Sequence, residues 1–283
     1  MTLLAEYLAA GISTGCAFAL VATGFVVVHR VTGVVNFAQG TYAVVGGFVA
    51  YSLLSHGWPH VAAEGLGVVV AGFVGLLVGL VAIGRRGTPV LASLIITLGL
   101  AILGYAVEIV IWGDLPLSYD GLNGVVEVAG VSMQQQYLLV VAAAVVTFTG
   151  LIAFFGWTYL GKALTACFSN PYAARLVGIN VTRMGLIAFG LGGALGGLAG
   201  VLITPLRSVS FDADVGIAIN GFAAAIFGGL VRPGAALVGG LVLGVTEALV
   251  AGYYRASYQF GIALAMMLLL MVWQAWRRSE AEA

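Results

Sequence analysis

The side chains able to do chemistry are few and scattered. The three histidines, His29, His56 and His60, fall at the ends of apolar runs, where an imidazole is readily solvated. Neither HExxH nor CxxC occurs, so ligand spacing for a metal is missing. The only lysine, Lys162, follows Gly161 but precedes Ala163, which departs from the G-x-x-x-x-G-K-[ST] pattern that cradles ATP phosphates. The chain is therefore expected to be neither an enzyme nor an ATPase, with no metal or cofactor of its own. Two carboxylates stand out because they interrupt long apolar stretches: Glu108 and Glu247. Buried acids are what proton or sodium coupling would need. Each lies four residues before the end of its run, at Trp112 and Ala251, where a carboxylate also reaches the lipid headgroups.

The segment Val31-Thr-Gly-Val-Val-Asn-Phe-Ala-Gln-Gly40 is the most informative local pattern. Asn36 with Gln39 three residues on reads as a capping-box variant, so a helix is expected to restart at Asn36 after a non-helical link through Gly33. A helix start inside a transporter offers partial positive charge and free N–H groups to a carboxylate substrate. The alternative is a plain start at the membrane interface. Asn36, Gln39 and Thr41, with Glu108 and Glu247, are the candidates for a substrate path.

The elements that must position these residues follow from composition. Of 283 residues, 61% are hydrophobic and 8% charged, against about 25% charged in soluble chains. This predicts an integral membrane protein. Eleven Lys and Arg balance eleven Asp and Glu, which leaves no basic face for nucleic acid. A spanning helix takes about 20 apolar residues. Nine runs qualify: 7–28, 36–54, 61–83, 89–112, 137–157, 185–204, 215–230, 235–251 and 258–276. The seventh and eighth are short and are divided at Arg232-Pro-Gly234, so they either both cross or form a re-entrant hairpin. The fold class expected is an all-α polytopic bundle of eight to nine spans, broken or re-entrant helices included, in one permease domain, 1–283.

Positive loops stay in the cytoplasm. With the amino terminus outside, nine basic residues fall inside (Arg30, Arg85, Arg86, Lys162, Arg175, Arg183, Arg232, Arg277, Arg278) and two outside (Arg207, Arg255). The carboxyl terminus is then cytoplasmic. The absence of a basic segment before the first run argues that this run stays as a span. Cys16 and Cys167 lie in different surroundings, so no disulfide framework follows.

The inner connection, 158–184, carries its own helix signature. Asn170 suits an N-cap, Pro171 the first helical position, and Gly178 a left-handed close after residues 172–177. This reads either as a connecting turn or as a docking element for a cytoplasmic partner. Glycine makes up 42 of the residues, with four-residue spacing at Gly192, Gly196 and Gly200, at Gly240 and Gly244, and at Gly75 and Gly79. Such stripes let membrane helices pack backbone to backbone.

Three blocks of the chain resemble LivH-like permeases, the membrane subunits of ABC importers for branched-chain amino acids. The first covers residues 7–51, with Gly33-Val-Val-Asn-Phe-Ala-Gln-Gly40. The second is Ala173-Ala-Arg-Leu-Val-Gly-Ile-Asn180 followed by Gly190-Leu-Gly-Gly-Ala-Leu-Gly-Gly-Leu-Ala-Gly200. The third runs from Ala224 through Pro233-Gly-Ala235 to Gly244-Val-Thr-Glu-Ala248. The resemblance implies a second homologous permease, two cytoplasmic ATPase subunits that bind the ATP, an extracytoplasmic solute-binding protein, and residence in the bacterial inner membrane. It puts Ala174, Arg175, Leu176, Gly178 and Ile179 against an ATPase groove, and the binding protein on residues 113–136 and 207–214. Many relatives have His where Gln39 stands, so the solute is not fixed by the resemblance, and urea or short amides are the alternative within the family. An ion-coupled secondary transporter working through Glu108 or Glu247 is the alternative outside it.

Overall fold

The computed structural model describes residues 2–84, 88–122, 124–128 and 131–282. Arg85 and Arg86, counted above among the inner charges, lie outside the described residues. Eleven α-helices are found among them: α1 (Thr2–Thr32), α2 (Gln39–Ser55), α3 (His60–Ile83), α4 (Val90–Trp112), α5 (Gln135–Trp157), α6 (Tyr159–Ser169), α7 (Pro171–Leu176), α8 (Val181–Ile203), α9 (Ala213–Phe227), α10 (Pro233–Tyr253) and α11 (Gln259–Glu282). A two-stranded antiparallel ribbon, β1 (Val125–Val128) and β2 (Val131–Gln134), pairs Val125 with Gln134 in the α4–α5 connection. The ribbon was not expected from the sequence.

Each of the nine apolar runs became a helix, and α6 and α7 fill the 158–184 connection. Among the described residues, six helices (α1, α3, α4, α5, α8 and α10) are long and apolar enough to cross a membrane. Of the others, α2 and α9 are shorter, and the apolar part of α11 is Gly261–Val272. At about 1.5 Å per residue, the 17 residues of α2 span about 26 Å and the 15 of α9 about 22 Å, under the hydrocarbon thickness of about 30 Å.

The architecture is two inverted triads. Each has a long helix, a break, a short helix and a returning helix: α1–α2–α3 and α8–α9–α10. The seams repeat, since α1 packs on α10 as α8 packs on α3, and α1 meets α9 as α8 meets α2. The triads run in opposite senses: Gly24 of α1 lies beside Gly192 of α8, while Thr32 lies beside Gly185. Inverted repeats of this kind are a common way to build a transport path between two halves.

Glycine makes the seams. A methyl on Gly240 would stand 2.7 Å from both the Ala19 nitrogen and the Gly15 carbonyl oxygen, so α1 and α10 touch through backbone. Gly244 packs directly on Gly15, and Gly193 lies against the Ala71 carbonyl of α3. Bulk comes from a few large side chains buried between these seams, notably Phe18, Phe25, Tyr42, Phe48 and Phe189.

Candidate functional site: two helix breaks that meet inside the bundle

The first break begins at Gly33, whose φ of +72° lets the chain leave α1 in a conformation that other residues resist. The link that follows is held by side chains instead of a helical ladder. The Val34 N–H donates to Thr32 Oγ1 (3.2 Å), the Phe37 N–H to Thr97 Oγ1 on α4 (3.3 Å), and the Ala38 N–H to Asn36 Oδ1 (3.2 Å). Asn36 therefore does accept a backbone N–H, but within a single turn before the helix. The helix itself starts at Gln39, three residues later than expected. The expected capping box does not close: the Gln39 amide that would turn back on Asn36 donates to the Gly192 carbonyl, and the Asn36 Nδ2 donates to the Tyr42 hydroxyl at 3.0 Å.

Gln39 is fully buried. Its Nε2 donates to the Gly192 carbonyl at 2.8 Å, and its Oε1 has no partner. Side chains on Gly24, Gly192 or Gly196 would run into it, so these glycines together form the cradle for this one amide.

The second break follows α8. Residues 204–212 lead to α9, whose first turn carries Asp214; its Oδ1 accepts from the Val215 N–H at 2.6 Å. The Asp214 backbone carbonyl lies against Gly40, so the first turns of the two short helices meet. Asp214 had been expected in an outer docking loop and is instead buried at 5% exposure. Glu108 is 1% exposed with both carboxyl oxygens unpartnered, and Asp214 is near enough to interact with it electrostatically. Gly104, one turn earlier on α4, faces Thr41, whose buried Oγ1 also lacks a partner. Four of the five path candidates, Asn36, Gln39, Thr41 and Glu108, thus surround the start of α2.

The headgroup reading of Glu108 is corrected by this burial: its place near the helix end gives depth, whereas its side of the helix faces α2. Glu247 is also buried but stands apart, facing the Asn220 amide and the Arg207 guanidinium. Taking an unpaired carboxylate out of water costs several kcal/mol, so such groups are kept where function requires them. Sequence reading missed Tyr42, Thr97, Asp214 and Asn220. The polar interruption of the seventh apolar run at Asn220 was the one visible signal.

At the opposite side of the first break, α7 forms as expected. Asn170 Oδ1 accepts the N–H groups of Tyr172 and Ala173, each at 3.0 Å, and Gly178 closes the turn at φ +86°. Ala174 is buried, while Tyr172, Leu176 and Val177 are at least 70% exposed, an apolar patch on a six-residue helix. Arg175 lies in its last turn, and the Ile179 N–H returns to the Ala174 carbonyl at 2.9 Å. Cys167 on α6 is buried, which raises its thiol pKa above the ordinary value, with the nearby Arg175 charge opposing.

A polytopic all-α bundle with unpaired polar groups gathered where two short helices start has the architecture of a transport permease. The sequence comparisons agree. The family described as "Branched-chain amino acid transport system / permease component" matches residues 7–272, and the chain belongs to that family. It is 28% identical to the high-affinity branched-chain amino acid transport system permease protein LivH of Escherichia coli K12, over 93% of this chain and 91% of that one. It is 30% identical to a probable LivH of Methanocaldococcus jannaschii, over 89% and 84%. A solved structure, PsaBC from Streptococcus pneumoniae in complex with Fab, shares the fold at TM-score 0.53 with 14% identity, covering 95% of this chain and 91% of that one.

Proposed function

We infer that this chain is the membrane-embedded permease subunit of an ABC importer for branched-chain amino acids. The observation that carries this is the family match across residues 7–272, joined to a buried polar cluster at two helix starts. The family and its LivH relatives favour this reading over urea, short amides or ion-coupled transport. The partners are a second homologous permease, two cytoplasmic ATPases that bind the ATP, and an extracytoplasmic binding protein. The chain, one permease domain over 1–283, holds no cofactor.

All nine apolar helices, the short α2 and α9 included, lie within the bilayer of a bacterial inner membrane, with the amino terminus outside and the carboxyl terminus in the cytoplasm. Charge segregation supports this orientation. Arg30 and Arg175 gather around one cavity at the α7 end, while Asp114, Asp120 and Glu127 lie on the α4–α5 connection, which docks to α8 through the Tyr119 hydroxyl on the Val201 carbonyl at 2.8 Å. The solute carboxylate is received by the first turns of α2 and α9, near Asn36, Gln39 and Thr41, with Glu108 facing its ammonium group. Glu247 serves a second polar point of the path. ATP hydrolysis in the partners moves α7 through Ala174, Arg175, Leu176, Gly178 and Ile179, and the seams at Gly192, Gly196, Gly200, Gly240 and Gly244 let the triads rock.

Purification of the tagged chain from native membranes, followed by reconstitution with its co-purifying subunits, tests the reading. Leucine uptake should require ATP and the binding protein. Uptake by the chain alone on an ion gradient would overturn it. Gly178→Pro with Arg175→Glu should leave the complex assembled but sever ATP hydrolysis from uptake.

A further inference from the structure

A cavity of about 960 Å³ opens at the α7 end of the bundle, between the end of α1, the start of α4, α6–α7 and the start of α8. It lies outside the polar cluster at the helix starts. Arg30 and Arg175 supply its charge, and His29, Asn180 and Thr182 are among its other polar groups. Among the described residues no carboxylate lines it, for a reason written in the sequence: residues 7–63, 65–107 and 128–211, which contain every described lining residue, hold no Asp or Glu.

Arg30 is held ready. Its guanidinium lies 4.0 Å over the Phe168 ring, and its Nε is buried without a partner. The ion pair found among the described residues is His60 with Glu64, remote from this cavity, so neither Arg30 nor Arg175 is neutralised there. Arg30 is half-buried and Arg175 exposed, so the cavity presents charge of one sign to an acceptor from outside the chain. A zwitterionic amino acid fits poorly, because its ammonium group would find no carboxylate. An anion without its own cation meets two guanidiniums, whose planar forks match phosphate oxygens. The volume is in the range of about 300–1,000 Å³ typical of small-ligand sites.

We propose that this cavity binds a phosphate group, borne by an anionic phospholipid or free in solution, through Arg30 and Arg175 with His29 beside them. Because Arg175 lies in the last turn of α7 and Arg30 in the last turn of α1, the bound anion bridges the coupling helix to the helix that leads into the first break. Occupancy thereby sets how firmly α7 is tied to the transport path.

The test uses the intact complex in phosphatidylcholine nanodiscs, with and without phosphatidylglycerol. Native mass spectrometry reads retained lipid, and calorimetry with inorganic phosphate reads the soluble source. Wild type and Arg30→Lys should retain phosphatidylglycerol over phosphatidylcholine, or bind phosphate saturably. Arg30→Gln should weaken either by about tenfold or more, the scale of one lost charge-assisted hydrogen bond. Lipid retention without phosphate binding identifies the headgroup as the source, and the reverse identifies the free anion. Should Arg30→Gln fail to fold, the His29→Gln/Arg175→Gln pair carries the same comparison. No lipid preference together with no saturable phosphate binding overturns the proposal, as does undiminished binding in the glutamine variants.

Discussion

Replacing Gly240 by alanine tests the claim that α1 and α10 are joined by backbone. The added methyl would sit 2.7 Å from the Ala19 nitrogen and the Gly15 carbonyl oxygen. Ordinary carbon–oxygen contact is about 3.3 Å, so the helices must part by about 0.6 Å at a point where no flexible side chain can yield. Overpacking of this sort costs about 1–3 kcal/mol, offset by the roughly 1 kcal/mol that alanine gains over glycine in a helix interior. Gly150 on α5 is the control, because nothing stands within 4 Å of its added methyl. Gly150→Ala keeps the propensity gain and pays no clash, so the two variants should differ by about 1–3 kcal/mol. At about 2–4 °C per kcal/mol for a chain of this size, the melting temperatures in detergent should separate by about 2–12 °C, with Gly240→Ala the lower. Equal melting temperatures, or a more stable Gly240→Ala, would refute the seam as drawn.

Other expectations follow from single contacts. Asn170→Ala removes the acceptor of the Tyr172 and Ala173 N–H groups, costing about 1 kcal/mol locally. Hydrogen exchange should quicken in α7, and leucine uptake per ATP hydrolysed should fall while assembly persists. Gln39→Leu removes one hydrogen bond to Gly192 and one unpaired oxygen, so stability should move by no more than about 1 kcal/mol. Uptake should nonetheless drop severalfold in proteoliposomes; unchanged uptake would remove Gln39 from the path. The raised pKa of Cys167 keeps it protonated at neutral pH, and its thiolate fraction grows as pH rises. Maleimide labelling should therefore be slow near pH 7 and speed up toward pH 9 while the fold is intact, and rapid labelling at pH 7 would contradict its burial.

Hydropathy located the helices because a bilayer imposes both length and apolarity, and those are properties of a run of residues. The capped turn of α7 was equally legible, since Asn170, Pro171 and Gly178 act within a few residues of one another. Azimuth was not legible. Glu108 reads the same in sequence whether it faces lipid or α2, and only the packing of Gly104 on Thr41 decides the matter. The start of α2 moved from Asn36 to Gln39, and the Gln39 amide that a capping box would return to Asn36 is taken by Gly192, distant in the chain. Asp214 was assigned to a loop because its role depends on Gly40, distant in the chain. The glycine stripes announced close contacts without saying which helix would fill them. Gly192 and Gly196 proved to hold, together with Gly24 of α1, a glutamine between α1 and α8.

The link at residues 34–38 has a consequence for how water enters the protein. Its amides at Val34, Phe37 and Ala38 are held by side-chain oxygens at 3.2–3.3 Å, while those of the flanking helices belong to continuous ladders. Opening a ladder needs a whole turn to unwind, whereas these three can be freed by rotating Thr32, Thr97 or Asn36. They are the amides most cheaply exposed at the break; Val34 already lines the cavity at the α7 end, whereas Phe37 and Ala38 lie deeper and meet water as the break opens. The break thus carries its own clock: the rate at which deuterium enters Phe37 and Ala38 during turnover follows how often this part of the interior opens to solvent.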